Sequence, residues 1–152
     1  MTPQHKILVI KLSAFGDFIQ ALGPMRAIRA HHPAAHITLL TTSLFENLAW
    51  ACGYFDDVIV DPRAKITAPL RMMRFLTTLR RGGFSRVYDL MNNDRTALYF
   101  RAMRLNNPGL EWVGTVAGAS HRDVISDKGR EHALTRHARM LGLAGISGVT
   151  YD

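Results

Sequence analysis

A buried apolar strand that runs straight into a small-residue turn and then a carboxylate constrains this chain more than any other feature: Lys6-Ile-Leu-Val-Ile-Lys-Leu-Ser-Ala-Phe-Gly-Asp17. Asp17 is expected to open a helix reaching about His31, where the free amides and the positive end of the helix dipole favour a charged acid. A strand, a tight turn and a helix start make the ligand-facing edge of an α/β sheet. The spacing is not a dinucleotide fingerprint, because Gly16 stands alone where three glycines are needed. Nor is it a P-loop, which ends in Gly-Lys-Ser/Thr. The turn offers a carboxylate rather than a phosphate cradle.

Strand and helix signals then alternate, which predicts a parallel sheet with right-handed crossovers. Strands are expected at Lys6–Leu12, His36–Thr41, Asp57–Val60, Arg86–Leu90 and Trp112–Val116. Helices are expected at Asp17–His31, Ser43–Ala51, Ala68–Arg81, Asp94–Met103 and Arg130–Leu141. Pro33, Gly53, Pro62, Gly82-Gly83 and Pro108-Gly109 punctuate the joints. In the first helix Ile19, Leu22 and Met25 face the sheet while Arg26 and Arg29 reach water, and Pro24 bends it. From Ile66 to Gly83, Met72, Phe75, Leu76 and Leu79 form one face, and Arg71, Arg74, Thr78 and Arg81 the opposite one. That basic face is either an ordinary solvated surface or a contact for lipid headgroups and acceptor phosphates.

At 152 residues the chain is long enough for one domain with a substantial core and too short for two of this kind. No window approaches the roughly 18 apolar residues of a spanning helix, and the N-terminus lacks the pattern of a signal peptide, so the expected location is the cytoplasm. The net charge of +7 points to an acidic partner. Nucleic acid is not expected, since no basic run interleaved with aromatics and no zinc-finger spacing occurs. Cys52 lies in an apolar stretch and reads as a small core residue. His31 and His32 are adjacent and His132 and His137 lie on different helix faces, so no metal site is expected.

Lys11-Leu-Ser-Ala-Phe-Gly-Asp17, Gln20-Ala-Leu-Gly-Pro-Met-Arg-Ala-Ile-Arg29 and His36-Ile-Thr-Leu-Leu40 resemble the opening of the bacterial heptosyltransferases of glycosyltransferase family 9. Tyr54-Phe-Asp-Asp-Val-Ile-Val-Asp61, Tyr88-Asp-Leu-Met-Asn-Asn-Asp-Arg-Thr96 and the stretch from Glu131 to Ile146 follow in the family's order and at roughly its intervals. The resemblance covers nearly the whole chain but half of the family's usual length. It implies a Rossmann-like parallel sheet sandwiched by helices, with residues 1–152 forming the N-terminal, acceptor-side half of a GT-B enzyme. The nucleotide-sugar domain would lie outside this chain.

The resemblance also implies an inverting transfer of heptose from ADP-heptose to an anionic glycolipid of lipopolysaccharide core synthesis, at the inner face of the cytoplasmic membrane. No cofactor is expected, and ADP-heptose would be held mainly by the other domain. Such a transfer needs a base for the acceptor hydroxyl and positive charge for the departing diphosphate. The family's proposed base falls on Asp17, which by itself also reads as a helix N-cap. Lys11 orients Asp17 or meets an acidic group on the acceptor, or else snorkels at the sheet rim. Ser13 shares the turn, with no partner spacing for a nucleophilic triad.

Arg95 aligns with the family's basic residue after the fourth strand, where a guanidinium fork suits a carboxylate or phosphate. Asp94 is expected to cap the next helix. Met91-Asn92 replaces the family's commoner Gln-Gly, which leaves the acceptor sugar open. Ser120, His121 and Arg122 either complete the acceptor pocket or form a plain polar loop. The rival readings are a non-catalytic binding module for an anionic sugar or lipid and a flavodoxin-like signalling domain. The latter would carry an acidic pair where Lys11 and Ser13 stand.

Overall fold

The computed structural model describes residues 5–12, 15–63, 68–105, 107–123 and 133–147. Six strands, β1 (Lys6–Ile10), β2 (His36–Thr41), β3 (Asp57–Val60), β4 (Arg86–Asp89), β5 (Glu111–Gly114) and β6 (His121–Arg122), form one sheet in the order β3-β2-β1-β4-β5-β6. Every pairing is parallel. Parallel neighbours need a crossover between them. Helices α1 (Phe15–His31), α2 (Glu46–Ala51), α3 (Pro69–Arg81), α4 (Asp94–Arg104) and α5 (Ala133–Leu143) lie between or beyond the strands, with a 3₁₀ turn at Ser43–Phe45 ahead of α2.

Alternation along β1 divides the core in two. Ile7 and Val9 pack with Phe18, Met25 and Ile28 of α1, Ala49 of α2 and Met140 and Leu141 of α5. Leu8 and Ile10 point the other way, onto Met72, Phe75 and Leu79 of α3 and Tyr99, Phe100 and Met103 of α4. All four β1 side chains are at most 1% exposed, so the strand is covered on both faces. Each such side chain contributes about 1.5–3 kcal/mol by leaving water. The α/β sandwich expected from the alternation is therefore present.

Several local expectations are corrected. The helix α1 begins at Phe15, which puts Asp17 in its first turn rather than at the cap. Its buried stripe runs through Phe18, Ala21, Met25 and Ile28, and Ile19 is left 40% exposed. Arg29 does not reach out to water. It pairs with Asp56 at 2.9 Å, and its other terminal nitrogen donates to the carbonyls of His32, Pro33 and Ala35, closing the helix C-terminus. The helix runs on through the buried Pro24, although that ring cannot donate to the carbonyl one turn back.

Asp94 does not cap α4. Asn93 does, its side chain accepting from Thr96 N at 3.0 Å while Thr96 Oγ1 accepts from Asn93 N at 3.1 Å. The strand β5 ends at Gly114 instead of Val116, because Thr115 N turns to the Asn92 side chain at 3.0 Å. Strand β6 was not expected: two residues carry no readable period, and only their pairing with Val113 and Gly114 makes them a strand. The expected start of the last helix, residues 130–132, lies outside the described residues, and α5 is described from Ala133.

Candidate functional site at the ends of β1 and β4

Strand order reverses between β1 and β4, with β2 and β3 to one side and β5 and β6 to the other. In open parallel sheets the crevice at such a reversal, beyond the C-terminal strand ends, is where ligands bind. Lys11 leaves β1 at that point, its backbone still held by Leu40 O at 3.0 Å. The side chain is 4% exposed, which removes the snorkelling alternative. Its Nζ donates to Leu90 O at 3.3 Å, tying β1 to the end of β4. Burial pulls the ammonium below the usual lysine range, while Asp17 and Asp89 work in the opposite direction and Arg136 reinforces it.

Asp17 is exposed in the first turn of α1. Its charge acts on Lys11 and on His137, so the acid, the amine and the imidazole share one neighbourhood. His137, from α5, is 1% exposed, and among the described residues neither ring nitrogen has a hydrogen-bond partner. Burial first, and then Lys11 and Arg136, bring its pKa down to about 4. The Leu90 carbonyl favours the protonated ring, but from outside hydrogen-bond geometry. The imidazole is therefore neutral at pH 7.

The polar stretch after β4 is largely a turn that holds itself together. Asp89 is buried, and its Oδ1 accepts from Met91 N at 3.0 Å and Asn92 N at 2.8 Å. Burial pushes this carboxyl up against the pull of those two N–H groups. Asn92 adopts φ 56°, a left-handed conformation that asparagine tolerates. Gly114 lies so close beneath that an added Cβ would sit 2.9 Å from Asn92 Oδ1 and 3.1 Å from Asp89 Cβ. The ends of β4 and β5 are thus pinned together.

Arg95 stands in the first turn of α4, and its fork is turned onto Asp61, just past β3. Nε and one terminal nitrogen reach the two carboxylate oxygens at 3.3 and 3.1 Å. Asp61 also accepts from Arg63 N at 2.7 Å and from the Tyr99 hydroxyl. Its side chain is fully buried, whereas that of Arg95 is 24% exposed. Burial, followed by the Asp61 carboxylate, drives the Tyr99 phenol well above its ordinary range. Arg95 is therefore a pre-oriented cation past the end of β4, part of its donor set already committed.

Ser120 Oγ accepts from Trp112 N at 2.9 Å and lies 2.9 Å from His121 Nδ1, and Arg122 Nε donates to Thr115 O at 3.3 Å. The bonds to Trp112 and Thr115 go to β5 and the turn after it, and they build the β5–β6 edge. Ser13 lies outside the described residues. On the same edge Arg139 of α5 grips Asp123 through two bonds of 3.2 and 2.8 Å, which fixes the helix that carries His137.

No protein-family model matches the chain. Over 59 residues, 39% of this chain and 17% of the relative, it is 38% identical to a Haemophilus influenzae protein named "putative glycosyltransferase". A glycosyl transferase of family 9 from Veillonella parvula superposes with a TM-score of 0.76 over 99% of this chain and 44% of that structure, at 19% identity. The Escherichia coli ADP-heptose lipopolysaccharide heptosyltransferase II gives 0.68 over 94% and 41%, also at 19% identity. The Escherichia coli heptosyltransferase WaaC, with ADP-2-deoxy-2-fluoro heptose, gives 0.68 over 97% and 50%, at 14% identity. The fold is that of glycosyltransferase family 9.

The chain spans between 41% and 50% of the length of these family 9 and heptosyltransferase structures. Within the family 9 fold, the structure brings Lys11, Asp17 and the end of β4 together, with Arg95 following β4 and turned onto Asp61. Two members of the arrangement escaped the sequence reading. His137 is singled out only by burial without a partner among the described residues, and Asp61 only by the cation and phenol that converge on it from α4. An isolated acid after a short apolar run was the one available signal for Asp61, and it names no partner.

Proposed function

We propose that this chain is the acceptor-binding half of an inverting glycosyltransferase that moves heptose from ADP-heptose to an anionic glycolipid of lipopolysaccharide core synthesis. The observation that carries this reading is the exposed carboxylate of Asp17, on a helix start above the strand-order reversal, in a family 9 fold. Asp17 takes the proton of the acceptor hydroxyl, whose oxygen then forms a bond to the anomeric carbon as the bond to ADP breaks. The configuration inverts and ADP carries away the electron pair.

Lys11 and Arg95 supply fixed positive charge for an acidic group on the acceptor. Lys11 is fixed by Leu90 O and Arg95 by Asp61, so neither has to be ordered when the acceptor arrives. Ser13, Ser120, His121 and Arg122 belong to the same proposal at its margins. A second domain would hold the nucleotide and its diphosphate, and the reaction would proceed in the cytoplasm, at the inner membrane where such a glycolipid is presented. Contact with the bilayer would be peripheral in this reading, and among the described residues no helix is long and apolar enough to cross a membrane.

The test is Asp17→Asn in a two-domain version of the protein, assayed for heptose transfer. Turnover is expected to fall by at least about a hundredfold, the lower end of general-base effects, with folding retained. Near-normal turnover in a well-folded variant rejects Asp17 as the base. Acceptor binding without transfer by the unsubstituted protein points instead to a binding module.

A further inference from the structure

The opposite end of the sheet carries a cavity that the proposed reaction does not use. It has a volume of about 340 Å³ and opens at the N-terminal ends of β1, β4 and β5, walled by His5, His31, His32, Ser85, Arg86 and Glu111. The length of β1, roughly 13 Å at the usual rise per residue, separates it from Lys11.

A chain of hydrogen bonds runs through its wall. Arg86 Nε donates to Glu111 Oε2 at 2.7 Å, and a terminal nitrogen of Arg86 donates to the Tyr88 hydroxyl at 3.1 Å. That hydroxyl, on a fully buried ring, lies 2.7 Å from His32 Nε2. Because Arg86 supplies a proton to the phenol oxygen, the phenol proton is the one left for His32, and Nε2 is the acceptor. A neutral imidazole that accepts at Nε2 carries its proton on Nδ1. The relay therefore sets His32, which lines the cavity, as the tautomer with its proton on Nδ1.

The surroundings of that donor are rich in basic side chains. After burial, the influences on His32 come from His31, Arg86, His5 and Arg29, every one of them cationic or able to become so, and together they hold its pKa at about 4. The carboxylate of Glu111 is matched by Arg86, and that of Asp56 by Arg29. The ring of His31 stands edge-on to that of His32 at 4.8 Å, which adds a second imidazole at the mouth. A partly polar cavity of this size, walled by a preset imidazole donor and by a guanidinium only part of whose N–H groups is taken up by Glu111 and Tyr88, offers donors to a small oxyanion.

We propose that this cavity binds a small oxyanion, a phosphate or carboxylate group, through His32 Nδ1–H and Arg86, with His5 and His31 at its mouth. This site is independent of the transferase reading. The test is NMR of the histidine rings in the full chain, titrated with inorganic phosphate and, separately, with acetate. Saturable shifts of the His31 and His32 signals are expected, with the His32 pKa rising by about one unit or more as the anion favours its charged form. Saturation by one anion and not the other identifies the group the site takes.

In His32→Ala the saturable response of His31 should disappear while amide dispersion shows the fold intact. His31→Ala, at an exposed position, should weaken binding several-fold even if His32→Ala fails to fold. Shifts that stay linear to tens of millimolar for both anions, or saturation unchanged in both variants, overturn the proposal.

Discussion

Two residues of the crevice are held in environments that water would not give them, and each makes a measurable difference. Arg95 is anchored by a fully buried carboxylate, so its truncation has two effects. Arg95→Ala leaves Asp61 without its cation and should destabilise the fold by about 3 kcal/mol or more, as broken buried pairs do. Arg95→Lys keeps the charge but loses the fork, and in a two-domain protein it should impair acceptor use far more than donor use. Steady-state kinetics with each substrate varied in turn decide the point, and an effect confined to the donor would place Arg95 on the wrong side of the cleft.

His137 is neutral in the fold, with a pKa of about 4 against an ordinary value near 6.5, chiefly because it is buried. Between those values the unfolded chain binds a proton that the folded chain refuses. This share of stability is intact above pH 6.5 and declines as pH falls toward 4, by up to about 1.4 kcal/mol per unit. His32 acts in the same direction, less strongly for a half-buried ring. Urea midpoints at pH 7.5 and 5 should therefore differ less in His137→Leu than in the unsubstituted chain, and equal differences would dismiss the account.

Among the elements, α3 is the one whose outer face has a chemistry of its own. Met72, Phe75 and Leu79 are buried as its periodicity predicted, while Arg71, Arg74 and Arg81 are exposed. Beside them stand Leu70 and Met73, 70% and 62% exposed, which the sequence reading had not placed on that face. Arginines for lipid phosphates next to apolar side chains for the acyl boundary suit a peripheral membrane contact. Binding to vesicles should then require anionic lipid, fade as salt rises and weaken in a double Arg71→Ala, Arg74→Ala variant. Equal binding to neutral vesicles, or none to anionic ones at low salt, returns the helix to an ordinary solvated surface.

At the scale of the molecule, the sheet supplies one crevice at its strand-order reversal, and the sequence contains neither a glycine-rich phosphate loop nor a second run of strands and helices to build a donor pocket. The chain by itself is accordingly expected to bind ADP weakly or not at all and to transfer no sugar. Calorimetry with ADP is the check, and a stoichiometric micromolar interaction, about −8 kcal/mol, would put the donor pocket here.

The sequence alone determined the parallel α/β sandwich, since apolar runs alternating with helical periods and turn residues leave few other arrangements. It also placed Lys11, Asp17 and Arg95 near the C-terminal ends of strands, because those positions follow from the strand boundaries. Tertiary structure alone decided that Lys11 is buried against Leu90 O, that the Arg95 fork grips Asp61, that Ser120 and Arg122 tie an edge strand, and that the charge of Lys11 acts on a buried His137. The reason is that burial and hydrogen-bond partnership belong to pairs distant in sequence, as 79 positions separate Lys11 from Leu90, and no local pattern records which partner a polar side chain will meet.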